Sequence, residues 1–128
     1  MTNINDSDIL ITKSDAQVYI DLSCGYGQPS VTTIYLKKND GTTEKLLAFD
    51  GNAGHREVGL VSTLKYNAIV VHTTIHDVRQ LQQGREEEDI SLKIKVYDSP
   101  DNFTDTAFSR KTKGKGSMFH SFYTVTIF

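Results

Sequence analysis

Four histidines are the residues best suited to metal binding or proton transfer, and two of them lie close together in the sequence. His72 and His76 stand four residues apart in a segment whose polarity alternates as in a strand. Four strand residues span about 13 Å, too far for both rings to reach one ion, although a helix would bring them together. A third ligand would have to come from His55 or His120. The spacing therefore argues against a zinc site.

Cys24 is the only cysteine, so no internal disulfide can form and any thiol chemistry depends on this residue. It lies on the same side of a predicted strand as Ile20 and Leu22. We expect a small buried hydrophobic residue there, because nothing nearby in the sequence marks a nucleophile. No catalytic residue is assigned anywhere in the chain, and the protein is predicted not to be an enzyme.

Oxygen ligands are concentrated in one segment, 98–105. Its candidates for calcium binding are Asp98, Asp101, Asn102 and Asp105. Asp50 and Asn52 offer a second loop, predicted at the same end of the molecule. The two loops resemble the calcium loops of C2-type domains, but they lack the paired Asp-x-Asp arrangement of that family. Turn formation is the favoured interpretation, and calcium is the one cofactor kept as an alternative.

Basic residues are concentrated between the last two predicted strands. They are Arg110, Lys111, Lys113 and Lys115. The Gly-Lys-Gly-Ser ending lacks the spacing of a phosphate-binding loop, and a strand follows it rather than a helix, so nucleotide binding by that mechanism is rejected. The run is predicted to contact an acidic partner, such as the segment Glu86–Asp89 of a neighbouring subunit.

The elements that would position these residues are strands. In Ile90–Tyr97, apolar and polar side chains alternate with a period of two, so one face is buried and the other is exposed. Similar patterns predict further strands at Asp8–Thr12, Ala16–Cys24, Val31–Lys38, Lys45–Phe49, Glu57–Leu64, Ala68–Val78 and Met118–Phe128. Asn39-Asp40-Gly41 predicts a hairpin. Segments 79–89 and 98–117 are interpreted as a loop and a turn-rich connection.

The last predicted strand carries aromatic residues on both faces, with Tyr123 on one and Phe122 and Phe128 on the other. Two apolar faces imply that something covers the second one, which is a loop, the N-terminal segment or another chain. Phe122 and Phe128 are therefore predicted to bind a partner, together with the basic run.

About seven or eight short strands in 128 residues predict a single domain, residues 1–128, folded as an all-β antiparallel sandwich. Immunoglobulin-like, jelly-roll and C2-like strand orders all remain open. A net charge of −2 argues against nucleic acid as a partner. No apolar stretch approaches the ~20 residues of a membrane helix, and no secretory signal is visible. We expect a cytoplasmic protein, or one exported without a classical signal peptide.

These observations favour a non-enzymatic structural or protein-interaction module, self-associating or acting as a subunit of a larger assembly. The alternative is a ligand-binding sandwich, either calcium-dependent and C2-like or carbohydrate-binding. A sugar site would use Tyr26, Tyr66, Asn67 and the 98–105 loop, although the absence of tryptophan counts against it. An enzyme is the least favoured reading and would need a deep polar pocket around His55, His72 or His120.

Overall fold

The computed structural model describes residues 2–25, 29–76, 88–112 and 118–128. Within these ranges the chain forms nine strands and one helical turn. In chain order they are β1 (Thr2–Leu10), β2 (Gln17–Cys24), β3 (Ser30–Lys37), β4 (Thr43–Asp50), β5 (Ala53–Leu60), α1 (Val61–Leu64), β6 (Ala68–His76), β7 (Glu88–Ser99), β8 (Asn102–Thr112) and β9 (Met118–Ile127).

Two sheets pack face to face, which confirms the predicted all-β sandwich. The first sheet has five strands in the order β1-β9-β6-β3-β4, and the second has four in the order β5-β2-β7-β8. All pairs are antiparallel except β1 with β9, which run parallel from Thr2 opposite Phe119 to Leu10 opposite Ile127. The purely antiparallel arrangement predicted from the sequence is therefore corrected at this one pair.

The core lies between the sheets and is filled by every second residue of the strands. On β6, Ile69, Val71, Thr73 and Ile75 point inward and are buried, as the alternation predicts. The fully buried side chains from other strands include Val18, Ile20, Ile34, Leu92, Ile94, Tyr123 and Ile127. The residues between them face outward, so core packing does not determine the composition of each sheet's outer face.

The predicted hairpin at Asn39-Asp40-Gly41 is confirmed. It joins β3 to β4, which pair antiparallel from Val31 opposite Asp50 to Lys37 opposite Thr43. Gly41 has a φ of +87°, a backbone conformation that side-chain-bearing residues rarely adopt. The side chain of Asp40 accepts a hydrogen bond from the backbone N–H of Thr42 at 2.9 Å, which further fixes the turn.

Segment 98–117 was predicted as a turn-rich connection. This prediction is wrong for residues 102–112, which form β8. This strand is the edge of the second sheet. Thr104, Thr106 and Phe108 alternate with Phe103, Asp105 and Ala107, and hydroxyl groups replace the aliphatic residues that make such a pattern visible.

The predicted strand Glu57–Leu64 is also corrected, since Val61–Leu64 forms one turn of helix. Val61 and Leu64 are both fully buried, and a spacing of three does not fit a strand. The first strand begins at Thr2 rather than Asp8. Its Asp6 accepts a hydrogen bond from Thr106 at 2.8 Å, and its Asp8 accepts one from Tyr123 at 3.3 Å. Both carboxylates therefore have a hydrogen-bond partner although they belong to a strand.

A hydrogen bond between two fully buried hydroxyl groups joins β3 to β6, with Thr32 Oγ1 and Thr73 Oγ1 2.9 Å apart. We expect Thr32→Val alone to lower the free energy of unfolding by about 1–2 kcal/mol, because Thr73 loses its partner in an apolar setting. The double variant Thr32→Val/Thr73→Val should lose clearly less than the sum of the two single variants. Urea unfolding measures this cycle, and strictly additive losses would contradict the coupling.

Candidate functional site

The outer face of the first sheet is nearly free of formal charge. We call it the neutral face and define it by the outward residues of its three inner strands, β9, β6 and β3. They are Met118, His120, Phe122, Thr124 and Thr126, then Ala68, Val70, His72, Thr74 and His76, and then Val31, Thr33, Tyr35 and Lys37. Lys37, at the end of β3, is the one member that bears a permanent charge.

Two histidines meet on the neutral face. The distance from His72 Nε2 to His120 Nδ1 is 3.1 Å, and Thr74 Oγ1 lies 3.2 Å from the same His120 nitrogen. The ring of His72 also stacks on Phe122 with centroids 4.4 Å apart. Burial, and secondarily the neighbouring His120, lower the pKa of His72 from its ordinary value. The lowered pKa favours the neutral form of the His72 ring.

Exposed apolar side chains collect at one corner of this face. Ile9 is 55% exposed, Ile11 72%, Tyr66 57% and Phe128 45%. Backbone hydrogen bonds from Phe128 to Leu10 and from Thr12 to Phe128 continue the β1–β9 pairing and hold this corner together. Tyr66 contacts Phe128 edge-on, with ring centroids 5.9 Å apart. The predicted partner residue Phe128 thus lies in an apolar patch, and Phe122 lies on the adjoining sheet face.

The outer face of the second sheet has a different chemistry, arranged in rows across the strands. Tyr19 and Tyr97 form one row with Phe103, and the next places Lys95 between Asp21 and Asp105. A third places Lys93 between Ser23 and Ala107. Small side chains in the third row leave an open depression of about 590 Å³, a volume in the range of small-molecule sites.

Three residues from three strands form a hydrogen-bonded network beside this depression. Asp21 Oδ1 accepts from the backbone N–H of His55 at 2.6 Å and from the Tyr97 hydroxyl at 2.8 Å. The Tyr97 oxygen also lies 2.9 Å from His55 Nδ1, which must be the donor because the Tyr97 proton is directed to Asp21. His55 Nε2 is then left as an acceptor.

The backbone and the ring of His55 are both constrained. Its φ of +51° is uncommon for a residue with a side chain, and the β2–β5 register shifts between Ile20 and Leu22 nearby. Its ring stacks on Tyr19 at 4.0 Å. Burial, and secondarily the Asp21 carboxylate, raise the pKa of Tyr97 to about 12. The arrangement holds one imidazole in a fixed orientation and tautomer.

The calcium candidates do not form one cluster with the second loop. Asp98 accepts a hydrogen bond from the Thr12 hydroxyl, and Asn102 donates to the carbonyl of Ile11 at 2.6 Å. Asn52 instead accepts from the backbone N–H of Cys24, at the other end of β2. The prediction that both loops share one end of the sandwich is therefore wrong. Asp101 lies in the β7–β8 turn, and Asp105 lies opposite Lys95.

One oxygen near the 98–105 loop is unusual. Asp98 Oδ1 is one of three buried side-chain oxygen atoms in the described ranges that lack a hydrogen-bond partner. The residue borders a depression of about 400 Å³, which is lined by Ile11, Thr12, Lys13, Asp98, Ser99 and Asn102. In the part of the chain that the structure describes, no group of three or more His, Cys, Asp or Glu is placed to hold a metal ion.

The acidic and basic segments predicted to join two subunits are neighbours within one chain. The backbone register of β7 and β8 places Asp89 opposite Lys111 and Ile90 opposite Arg110. Lys113, Lys115 and the acidic residue Glu86 lie outside the described residues, as do most of the segment 79–89 and Tyr26 of the suggested sugar site. The register removes the main argument for a head-to-tail contact between these segments.

Cys24 is buried, as predicted, and burial raises the pKa of its thiol. Sequence reasoning missed the two side-chain groups that the fold assembles, the His72–His120 pair and the Asp21–Tyr97–His55 network. Their members lie on different strands, up to 76 positions apart in the second group. Only the strand order, which alternation does not reveal, brings them together.

Comparisons with protein-family models, with curated proteins and with solved structures find no match for this chain. Within the described ranges, no helix has the length and apolar character needed to cross a membrane. The function is therefore argued from the chemistry of the two outer faces.

The two perturbed tyrosines give a pH test of this structure. Burial, and secondarily Asp8, raise the pKa of Tyr123 to about 12, as for Tyr97. The unfolded chain releases both protons near pH 10, so the free energy of unfolding should fall as the pH rises from about 10 through 12. Ultraviolet titration should show a tyrosine component that ionises near pH 12, and Tyr97→Phe should reduce it. A late component that is unchanged in Tyr97→Phe would contradict the network.

Proposed function

We propose that this protein is a non-enzymatic structural or protein-interaction module, which assembles by docking its neutral face against the same face of a second copy. The observation that carries the proposal is the outer face of three adjacent strands, on which Lys37 at one end is the one permanently charged residue. Surfaces that stay in water normally carry interspersed charges, which keep a protein soluble and monomeric. Depletion of charge is instead typical of the centre of a protein interface.

The outer face of the whole first sheet is large enough for a stable contact. The three strands of the neutral face, about 4.8 Å apart and eight to ten residues long at about 3.3 Å per residue, cover roughly 400 Å². With the edge strands β1 and β4 the sheet covers roughly 650 Å², so two copies packed over the whole sheet would bury about 1,300 Å² in total, which falls within the usual range of specific protein interfaces. The apolar corner around Phe128 adjoins this area and would extend the contact.

A second copy is the partner that this face fits best. In a two-fold contact the same patch of both copies forms the interface. A patch with charges of one sign would therefore place like charges opposite each other. The neutral face avoids that repulsion, because its central residues Phe122, Val70, Thr124 and Tyr35 are uncharged. Edge strand β4 carries Lys45 and Asp50, which would lie at the rim.

The test places one charge at the centre of the face. Thr124→Glu should shift the protein from dimer to monomer and weaken dimerisation at least tenfold, because the carboxylate would be buried without a partner. Sedimentation velocity over a concentration series measures the change. The matched control is Ser23→Glu, an exposed strand residue on the outer face of the second sheet, which should leave dimerisation unchanged. A wild-type protein that stays monomeric at high concentration would refute the proposal.

Calcium-dependent ligand binding is a second candidate, favoured by the unpartnered Asp98 oxygen. A buried carboxylate oxygen without a donor is costly, and a calcium ion supplied with further oxygens from Asn102 and water would satisfy it. The depression around Asp98 opens to the surface, so an ion could enter.

Thermal unfolding in calcium tests this second candidate. Calcium at ten times its Kd should stabilise the wild type by about 1.4 kcal/mol, which raises the melting temperature by several degrees. Asp98→Asn should abolish the increase, whereas Asp50→Asn at the end of β4 should retain it. An unchanged wild-type melting temperature at millimolar calcium would eliminate this function.

A further inference from the structure

The His72–His120 pair lies at the middle of the neutral face. β6 is the third of the five strands in its sheet, and His72 is the fifth of its nine residues. β9 is the adjoining strand, and it places His120 opposite Thr74, one step diagonally from His72. Any two-fold axis that superposes the full neutral faces of two copies must pass close to this pair.

The distance between the two ring nitrogens is that of ligands on one metal ion. Zinc binds imidazole nitrogen at about 2.0–2.1 Å, so two such ligands in a tetrahedral site lie roughly 3.3 Å apart. In this structure His72 Nε2 and His120 Nδ1 are 3.1 Å apart. Without a metal, one of these nitrogens must carry the proton that joins them, and a cation can take the place of that proton.

One chain supplies only half of a closed site. The described residues place no third His, Cys, Asp or Glu with this pair. A structural zinc site takes four protein ligands, and a second copy related by the central axis would contribute its own His72 and His120. We infer that a zinc ion binds between two copies at the centre of the neutral face, held by His72 and His120 of each; this rests on the proposed face-to-face dimer.

The surroundings favour an ion that prefers nitrogen ligands. The pair offers imidazole alone, which suits zinc, copper and nickel and does not suit calcium or magnesium. Phe122 packs flat against His72 and restricts the movement of that ring and the access of water. The Thr74 hydroxyl lies 3.2 Å from His120 Nδ1, and it would give up this hydrogen bond when the nitrogen binds the metal.

Sedimentation equilibrium with and without zinc tests the inference. In chelator, the wild type should dimerise through the neutral face alone. Equimolar zinc should strengthen dimerisation at least tenfold, and calorimetry should give one zinc per two chains. His72→Phe and His120→Phe keep a flat ring while removing the nitrogens, so each should abolish the zinc effect. His55→Phe, on the outer face of the second sheet, is the control and should retain it.

The outcomes separate this inference from the proposed function. A dimer in chelator that zinc does not strengthen would overturn the metal site and leave the face-to-face module standing. Monomers under both conditions would overturn both proposals. One zinc bound per monomer, or a zinc effect that persists in His72→Phe, would overturn the bridging site. Thr124→Glu should lose the zinc effect together with dimerisation, since the second pair of ligands would be absent.

Discussion

The register of β9 between β1 and β6 is the constraint on which the rest of the structure depends. It sends Phe119, Tyr123, Val125 and Ile127 into the core and their neighbours outward. A slip of one residue would exchange the two sets and expose the largest buried side chain, Tyr123. The same register sets His120 beside His72 and carries Phe128 to the apolar corner. Core packing and the chemistry of the outer face are thus fixed by one set of backbone hydrogen bonds.

The two outer faces divide the surface into regions with different physical properties. The second sheet exposes Lys93, Lys95, Asp21 and Asp105, whose charges interact well with water and screen one another. The first sheet exposes hydroxyl, imidazole and aromatic groups, whose removal from water costs less than that of formally charged groups. Because both sheets share one core, this difference does not come from folding requirements. The proposed dimer accounts for the difference, since in it the first face packs against a second copy and the second face stays solvated.

Alternation was sufficient to predict the sandwich, the hairpin at Gly41 and the burial of Cys24, because each depends on residues close in sequence. It failed at β8, where Thr104 and Thr106 face inward and an edge position tolerates their hydroxyl groups. It also failed at α1, whose two buried residues are too few to reveal a helical period. Phe122 and Phe128 were predicted as partner-binding residues because the last strand carries aromatic side chains on both faces. The His72–His120 pair was not predictable, since the neighbour of β6 is set by packing across the whole chain.

The parallel pairing of β1 with β9 has a consequence for how the molecule is made. β1 leaves the ribosome first and β9 last among the described strands, so the first strand waits for its only neighbour in the sheet until the others have been synthesised. β6 also lacks one of its two neighbours during that time. Contacts between such distant segments form slowly, and unpaired strand edges attract other chains in the meantime. During this interval the unpaired edges of β1 and β6 are open to other chains, and slow translation near the end of the message would lengthen it.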